Sequence, residues 1–250
     1  MQTNDFKLNI LINGAVIEKR PSSFSLITDE GISSVMSVLV FSADSGVGES
    51  GDQVKIFLSL DGKEHLLFTG NIMTAGIGGA YRNLVLSDGF SKLIKTSVVA
   101  AYRKETAKAI LQDTLDGAGI DKTAITCPDV EIARFSTEKI SAYLCIKLLV
   151  KTLEEHGYTG FRFFFDNEDV FRFGTINDTG KNDGAVYEFT TGKNILKKND
   201  NRIEALPLPI RHSQEVMVDG VKLIVSRTAF TISGLHSRLA LFLRSPQEAA

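Results

Sequence analysis

The chain has 250 residues, a formal net charge of −2 and a pI near 6.1. Hydrophobic residues make up 43% and charged residues 23%, which is ordinary for a globular protein and leaves room for one large or two modest domains. The slightly acidic balance excludes binding of nucleic acid through bulk positive charge.

The first 87 residues predict short β-strands. Phe6–Ile12 alternates in polarity, and the dipeptide Asn13-Gly14 is typical of a tight turn before a returning strand. A strand predicted over Val35–Phe41 is apolar on both faces, so we expect it to be covered on both sides or paired with another subunit. About seven strands, with turn signals at roughly 8–12-residue spacing, indicate a small antiparallel barrel or sandwich.

A loop over residues 42–52 contains Gly46, Gly48 and Gly51 in the spacing G-x-G-x-x-G. A dinucleotide site needs a helix directly after such a loop. The residues that follow, Val54–Leu60, alternate with period two and predict a strand instead. We therefore predict no cofactor and interpret the loop as a flexible connection or an assembly contact.

The middle of the chain, residues 88–174, predicts helices. One helix is expected over Lys104–Asp116. A longer helix is expected to begin after Thr137 as N-cap, with Glu138 in its first turn, and to end at Gly157. Its predicted buried stripe contains Ile140, Leu144, Cys145, Leu148, Leu149 and Leu153.

An aromatic hairpin is predicted after the long helix. The runs Phe161–Phe165 and Val170–Phe173 flank the polar turn Asp166–Asp169. The first interpretation is that the hairpin packs on the helix and forms a small core. The alternative is an aromatic platform for stacking bases, because Arg162 and Arg172 lie between the rings.

Residues 175–250 return to β-strand patterns, including a hairpin around Asp219-Gly220 and a loop that contains Pro207 and Pro209. The predicted fold class is α+β, mostly β. It has two β-rich parts, residues 1–87 and 175–250, joined by a central helical segment plus hairpin over 88–174.

No catalytic or metal site is predicted. The histidines and cysteines lack the spacing of zinc ligands, and both cysteines are expected to be reduced. Glu154 and Glu155 adjoin His156, but helix ends commonly carry such clusters, so we predict no enzyme. The residues considered as ligands are His65, His156, His212, His236, Cys127 and Cys145.

A small basic cluster in the last part of the chain consists of Lys193, Lys197, Lys198 and Arg202. It is interpreted as a solvated loop, with a phosphate or subunit contact as the alternative.

The N-terminal residues lack the pattern of a signal peptide, and no apolar run approaches the ~20 residues that span a bilayer. We therefore expect a soluble protein made in the cytoplasm.

The order of these features resembles a known family. A strand, then Asp61-Gly62, then Leu67–Ile72 is similar to a passage of phage tail baseplate hub proteins, which include the late-control D proteins and the N-terminal part of type VI secretion spike proteins. Ala107–Leu111 resembles the first helix of that family. Phe135–Tyr158, followed by the hairpin that ends at Phe171–Gly174, resembles its next element. The resemblance runs in order over residues 6–230.

The resemblance implies two small β-barrel-like tube domains, 1–87 and 175–250, the second packed with part of the middle segment. It further implies a homotrimer whose pseudo-sixfold ring joins the tail tube protein to a central spike or tail-fibre protein, in the virion tail or baseplate of a phage or prophage-derived particle. DNA or an effector would pass through the ring without specific binding, and the chain would not insert into a membrane.

The alternative function is a carbohydrate- or nucleic-acid-binding β module that uses the Phe161–Phe173 hairpin. Exposed aromatic rings would favour this module. Burial of the rings against Leu144, Leu148 and Leu149 would favour the hub.

Overall fold

A computed structural model describes residues 6–29, 34–179, 187–233 and 236–245. The strands are β1 Phe6–Ile12, β2 Ala15–Val16, β3 Ser23–Asp29, β4 Ser34–Ser42, β5 Gln53–Leu60, β6 Lys63–Gly78, β7 Tyr81–Ser87, β8 Ser97–Thr106, β9 Thr123–Ile125, β10 Glu131–Ser141, β11 Arg162–Phe165, β12 Phe171–Gly174, β13 Tyr187–Phe189, β14 Ile195–Asn199, β15 Arg202–Ala205, β16 Glu215–Val218, β17 Val221–Ser233 and β18 His236–Arg244. The α-helices are α1 Phe90–Lys95, α2 Ala107–Gly117, α3 Ala142–Glu155 and α4 Ile176–Thr179.

A 13-stranded sheet forms most of the molecule. Its order is β14-β15-β18-β17-β3-β4-β7-β6-β5-β1-β2, with β16 paired to β17 and β13 paired to β16. The seven strands predicted before residue 88 are confirmed as β1–β7. The turns at Asn13-Gly14 and Asp61-Gly62 have positive φ at both residues, which is the conformation their sequences favour.

Strands β3 and β17 join the first and last parts of the chain. They pair antiparallel from Ser23↔Ser233 to Asp29↔Arg227, and one cluster of buried apolar side chains extends across both parts. Phe24 and Phe230 meet edge to face at 5.5 Å in this seam. Among the described residues, no pairing joins the two ends of the sheet. The two barrel-like domains therefore stay a prediction.

The strand that was predicted to be apolar on both faces is β4. Leu39 and Phe41 are buried in the sheet core, whereas Val38 and Val40 on the other face are half-buried. Over residues 37–41, one face of β4 is buried and the other is partly open to solvent.

The middle segment contains more strand than was predicted. β8 and β10 form an antiparallel pair, so the helix expected from Lys104 begins only at Ala107. The hydroxyl of Thr106 caps α2 by accepting a hydrogen bond from the Ala109 amide at 3.2 Å. The predicted helix is shortened because Lys104 has a positive φ of 51°, which is not helical, and because Glu105 and Thr106 pair with Ile132 and Glu131 of β10.

Helix α3 also begins later than predicted. Thr137 is not its N-cap, because that residue lies in β10 and its hydroxyl accepts from the Ala100 amide. Ser141 is the cap, and its hydroxyl accepts from the Leu144 amide at 3.3 Å. The register Ile140↔Val98 shows that strand pairing continues to the end of β10.

The predicted buried stripe of α3 is wrong at three positions, because Ile140 precedes the helix in β10 and two leucines are exposed. Leu144 and Leu148 are 47% and 43% exposed, whereas Leu149 is 1% exposed. Spacings of three and four residues fit two overlapping stripes on this leucine-rich helix, and packing against α1 and α2 selects one of them. The buried face consists of Ala142, Cys145, Ile146, Leu149 and Leu153.

The aromatic hairpin is confirmed as β11 and β12, with Phe163↔Phe173 and Phe165↔Phe171 in register. β9 adds a parallel third strand to β12. The hairpin, α1–α3 and the β8–β10 pair share a second cluster of buried side chains. No helix among the described residues is long and apolar enough to cross a membrane.

Candidate functional site: the junction of the three segments

The rings of the aromatic hairpin face the interior. Five of its phenylalanines are at most 6% exposed, and Phe161 stacks on Phe173 at 5.5 Å. Because a stacking platform needs an exposed ring face, the structure contradicts the prediction of a base-stacking surface here. Leu149 belongs to the same buried cluster as four of these rings, whereas Leu144 and Leu148 are exposed. The five buried rings are Phe163, Phe164, Phe165, Phe171 and Phe173.

Two hydrogen bonds anchor the polar turn of the hairpin, one to the first segment and one to the residue before α1. The Asn167 side chain donates a hydrogen bond to the Leu66 carbonyl at 2.9 Å, and the Gly89 amide donates to the Asp169 carboxylate at 2.6 Å. A Cβ at Gly89 would lie 2.4 Å from the Phe165 ring, so this close approach requires glycine. The turn is therefore a docking element.

Charged groups of this turn are partly buried. Asp166 pairs with Arg172 at 2.6 Å, and its other oxygen accepts from the amides of Glu168 and Val170. Burial raises the pKa of Asp169, although the bond from the Gly89 amide acts in the opposite direction.

His212 lies where all three segments meet. Its amide donates to the Thr28 hydroxyl at 3.1 Å, and its ring meets Phe164 edge to face at 4.5 Å. One ring nitrogen shares a hydrogen bond with the Ser213 hydroxyl at 2.9 Å. Burial lowers the pKa of His212 to about 3, with Arg211 and Arg162 adding to this effect. The imidazole is neutral at physiological pH and serves as a packing group.

A cleft of about 550 Å³ opens at the same junction. It is lined by Asp29 at the end of β3, by the entrance of the hairpin, and by β17, β18 and the turn before β15. Three arginines contribute to its wall: Arg162, Arg227 and Arg244. Sequence analysis did not single out Arg227 or Arg244, because neither belongs to a motif and they converge only through folding.

The glycine-rich loop over 42–52 is held in place rather than free. Arg82 is buried and donates to the carbonyls of Val47, at 2.8 Å, and Gly48. Its third partner is the Glu49 carboxylate at 2.7 Å. Val47 packs into the sheet core. This overturns the interpretation of the loop as a flexible connection, while its role as an assembly contact stays a prediction.

The other residues considered from the sequence are dispersed. Among the described residues no group of three or more His, Cys, Asp or Glu side chains is placed to hold a metal ion. His156 is exposed and contacts the Thr152 carbonyl at 2.8 Å. Cys145 is buried 3.6 Å from the Thr114 hydroxyl, and burial raises the pKa of Cys127 to about 11.

The basic cluster lies on the surface, mainly on β14. Lys198 pairs with Asp219 at 2.5 Å, and Arg202 pairs with Glu204 at 2.8 Å. Lys193 and Lys197 are exposed. The pKa of Asp219 is lowered to about 2, first by its bond from Lys198 and then by the Thr191 amide and hydroxyl. The cluster is thus partly neutralised by the chain itself.

No protein-family model matches this sequence, and no curated protein matches it. Solved structures of similar fold do exist. The 43 kDa tail protein of prophage MuSo2 from Shewanella oneidensis superposes with a TM-score of 0.73 at 10% identity, over 98% of this chain and 99% of that chain. The tail protein of Neisseria meningitidis MC58 gives the same TM-score and identity over 96% of both chains.

A third structure links the fold to secretion. The E. coli c3393 protein, described as a component of the type VI secretion system with structural similarity to the T4 tail proteins gp27 and gp5, superposes with a TM-score of 0.66 at 12% identity. The match covers 96% of this chain and 77% of that protein. Along nearly its whole length, this chain has the fold of phage tail proteins and of a type VI secretion component.

Proposed function

We propose that the protein is a structural component of the tail of a phage or phage-derived injection particle, in the position of the baseplate hub. Three copies would form a ring of pseudo-sixfold symmetry that joins the tail tube to a central spike or tail-fibre protein. The ring would line a channel that lets DNA or an effector pass without specific binding. The role is structural and needs no catalytic group.

The observation that carries this proposal is the extent of the fold likeness, which covers 98% of this chain and 99% of a prophage tail protein. The buried hairpin supports it, because the competing binding module requires exposed rings. The open sheet also supports it. Among the described strands, β2 and β14 form its two ends, and a terminal strand offers backbone groups to a neighbouring chain.

The test is the mass in solution, measured by light scattering on protein at tens of micromolar. We expect three times 27.3 kDa, and negative-stain images should show a ring with a central hole. A monomer over the whole concentration range that also fails to form rings with the tail tube and spike proteins would overturn the proposal.

A matched pair of variants locates the contact. Leu196→Lys places a charge on the end strand β14, where it opposes pairing with another chain. We expect it to lower the trimer fraction. Val99→Lys alters a still more exposed apolar side chain on β8 and should leave the trimer intact. Equal effects of the two substitutions would show that β14 is not the contact.

A further inference from the structure

The tip of the hairpin formed by β6 and β7 extends beyond the strand that flanks it. β5 pairs with β6 only as far as Gln53↔Asn71, and the loop before β5 reaches one step further, where the Ser50 hydroxyl donates to the Met73 carbonyl at 3.0 Å. Among the described residues, 74–78 pair with β7 alone. Their other side is a free strand edge, which we call the β6 edge.

The turn of this hairpin decides which backbone groups point away from β7. Gly79, with a φ of 60°, lies in a two-residue turn, so the closing pair Gly78↔Tyr81 exchanges hydrogen bonds. Bonded and non-bonded pairs alternate along an antiparallel ladder. The N–H and C=O groups of Ala75 and Ile77 therefore point outward, where a strand of another chain would meet them.

Two glycines of the β6 edge are not required by the chain itself. Gly76 and Gly78 lack the positive φ that favours glycine. A Cβ at Gly76 would meet no atom within 4 Å, and a Cβ at Gly78 would meet only the Asn83 side chain at 3.7 Å. Glycine weakens a strand and commonly marks the close approach of a ligand or of another backbone. The open space beside both glycines fits side chains of an added strand.

The β6 edge differs from the end strand β14 in charge. Residues 74–81 contain no charged side chain, and the side chains of Ile77 and Tyr81 are 64% and 53% exposed. β14 contains Lys197 and Lys198, which a strand added there would meet. An edge without charges favours an added strand that is itself uncharged and apolar.

Two cations lie close to this part of the chain. Arg82, opposite Ile77 in the hairpin, is buried and its charge is paired with Glu49 at 2.7 Å. The Lys95 ammonium lies 4.0 Å from the Met73 sulfur, outside residues 74–78. Neither cation belongs to the β6 edge.

We propose that the β6 edge binds an extended, uncharged segment of a partner protein by strand addition. The backbone of that segment would pair with Ala75 and Ile77, in line with β5. Its bulky apolar or aromatic side chains would cover Gly76 and Gly78, as aromatic residues do for edge glycines in other sheets. This binding needs only the hairpin and does not depend on the proposed ring.

The test is a titration of the full chain, followed through the backbone amide signals in NMR spectra. The probe is the peptide acetyl-Thr-Val-Thr-Tyr-Thr-amide. Its control is the same peptide methylated at every backbone nitrogen, which removes all its donors and keeps its side chains. We expect saturable shifts at Ala75 and Ile77 with the probe and none with the control. Equal shifts with both peptides, or none at the highest soluble concentration of the probe, would overturn strand addition.

The glycines give a prediction of two opposite signs. Gly76→Val should raise the midpoint of urea unfolding, because valine favours a strand and its Cβ meets no other atom. It should also weaken binding of the probe about two- to fivefold, since it fills the space proposed for the tyrosine ring. Unchanged or tighter binding by this variant would overturn the role of the glycines.

Variants of Ile77 locate the edge. Ile77→Pro removes an outward N–H that pairing with β7 does not use, and it should weaken the probe about fivefold or more. Ile77→Lys keeps this N–H, adds a charge, and should weaken the apolar probe less. The matched control is Val16→Lys on β2, where the side chain is 66% exposed, and it should bind as the unaltered chain does. Equal binding by the two lysine variants would overturn the location.

Light scattering separates this inference from the proposed function. Ile77→Pro should leave the mass in solution unchanged, because the occupant of the edge is a different protein. A lower mass would show that a second copy of this chain occupies the edge, and it would overturn the partner assignment. A monomer that binds the probe would remove the ring and keep the edge site. A trimer that does not bind it would keep the ring and remove the site.

Discussion

The two buried clusters of this protein are built in different ways. The sheet cluster draws on residues 10–86 and again on residues 189–243, so its halves come from opposite ends of the chain. The cluster of the middle segment uses only residues between Phe90 and Phe173. The difference indicates that the middle segment has a local core, whereas the sheet needs both ends of the chain to close its seam.

The independence of the two buried clusters can be tested by removing one aromatic ring from each. Phe24→Ala and Phe171→Ala each delete a fully buried ring and should cost roughly 3–5 kcal/mol. In hydrogen-exchange experiments, Phe24→Ala should lower protection in both β3 and β17 while α2 and α3 stay protected. Phe171→Ala should do the reverse. If either variant exposes both clusters equally, the molecule unfolds as one unit and the distinction is lost.

His212 gives the stability of the seam a pH dependence. Its pKa is about 3 in the folded chain, against 6.5 for an unperturbed imidazole in the unfolded chain, so the unfolded chain takes up the proton first as the pH falls. This contribution to stability is complete above pH 6.5 and is lost as the pH falls towards 3. Between pH 7 and 4 it amounts to roughly 3 kcal/mol.

Urea unfolding at a series of pH values measures this effect. His212→Gln should lose less stability than the unaltered chain between pH 7 and 4, whatever its stability at pH 7. The exposed His156→Gln is the control and should follow the unaltered chain. Parallel curves for all three proteins would contradict the neutral, buried state of His212.

The turn of the hairpin can be loosened at Asp169, which accepts a hydrogen bond from the Gly89 amide within the middle segment. Asp169→Ala removes the acceptor for the Gly89 amide and places alanine at a φ of 60°, which should cost roughly 1–2 kcal/mol. Asn keeps an acceptor and tolerates this φ. Because burial raises the pKa of Asp169, the charged form is disfavoured, and Asp169→Asn should be at least as stable as the unaltered chain near pH 7.

Chemical denaturation of both variants at pH 7 tests this prediction. A loss of stability in Asp169→Asn equal to that in Asp169→Ala would show that the negative charge, rather than the acceptor, holds the turn.

The smallest effect is expected on the solvent face of α3. Leu148→Gln should change the free energy of unfolding by less than about 0.5 kcal/mol, because the side chain is 43% exposed. Its neighbour Leu149 is buried, and Leu149→Ala should cost roughly 2–5 kcal/mol. Thermal denaturation of the pair distinguishes them. Comparable losses in the free energy of unfolding would indicate that Leu148 is buried, as the sequence predicted.

The same contrast explains what the sequence could predict. Strands β1–β7 and the hairpin β11–β12 follow from alternation and from turns such as Asn13-Gly14, which are local signals. The start of α3 does not follow from local signals. Thr137 is a good cap in isolation, and only pairing with β8 keeps this residue extended. Exposure of Leu148 likewise depends on which helices pack beside it.

The junction was beyond sequence reasoning for a stronger reason. Arg162, Arg227 and Asp29 are distant in the chain, and none belongs to a motif. The seam brings them together through a pairing whose register no local pattern specifies. Resemblance in the order of elements led to the hub proposal, but it could not indicate which side chains meet.

The seam between β3 and β17 also has a consequence for synthesis. Thr28 and Thr228, which share a hydrogen bond at 2.8 Å, stand 200 positions apart. At roughly 5–20 residues per second, a ribosome needs about 10–40 s to make the partner of β3 after β3 has emerged. During that interval the edge of the seven-residue strand β3 that later pairs with β17 is unpaired on the growing chain. A cell that makes many copies at once must keep these unpaired edges of different chains from pairing with one another.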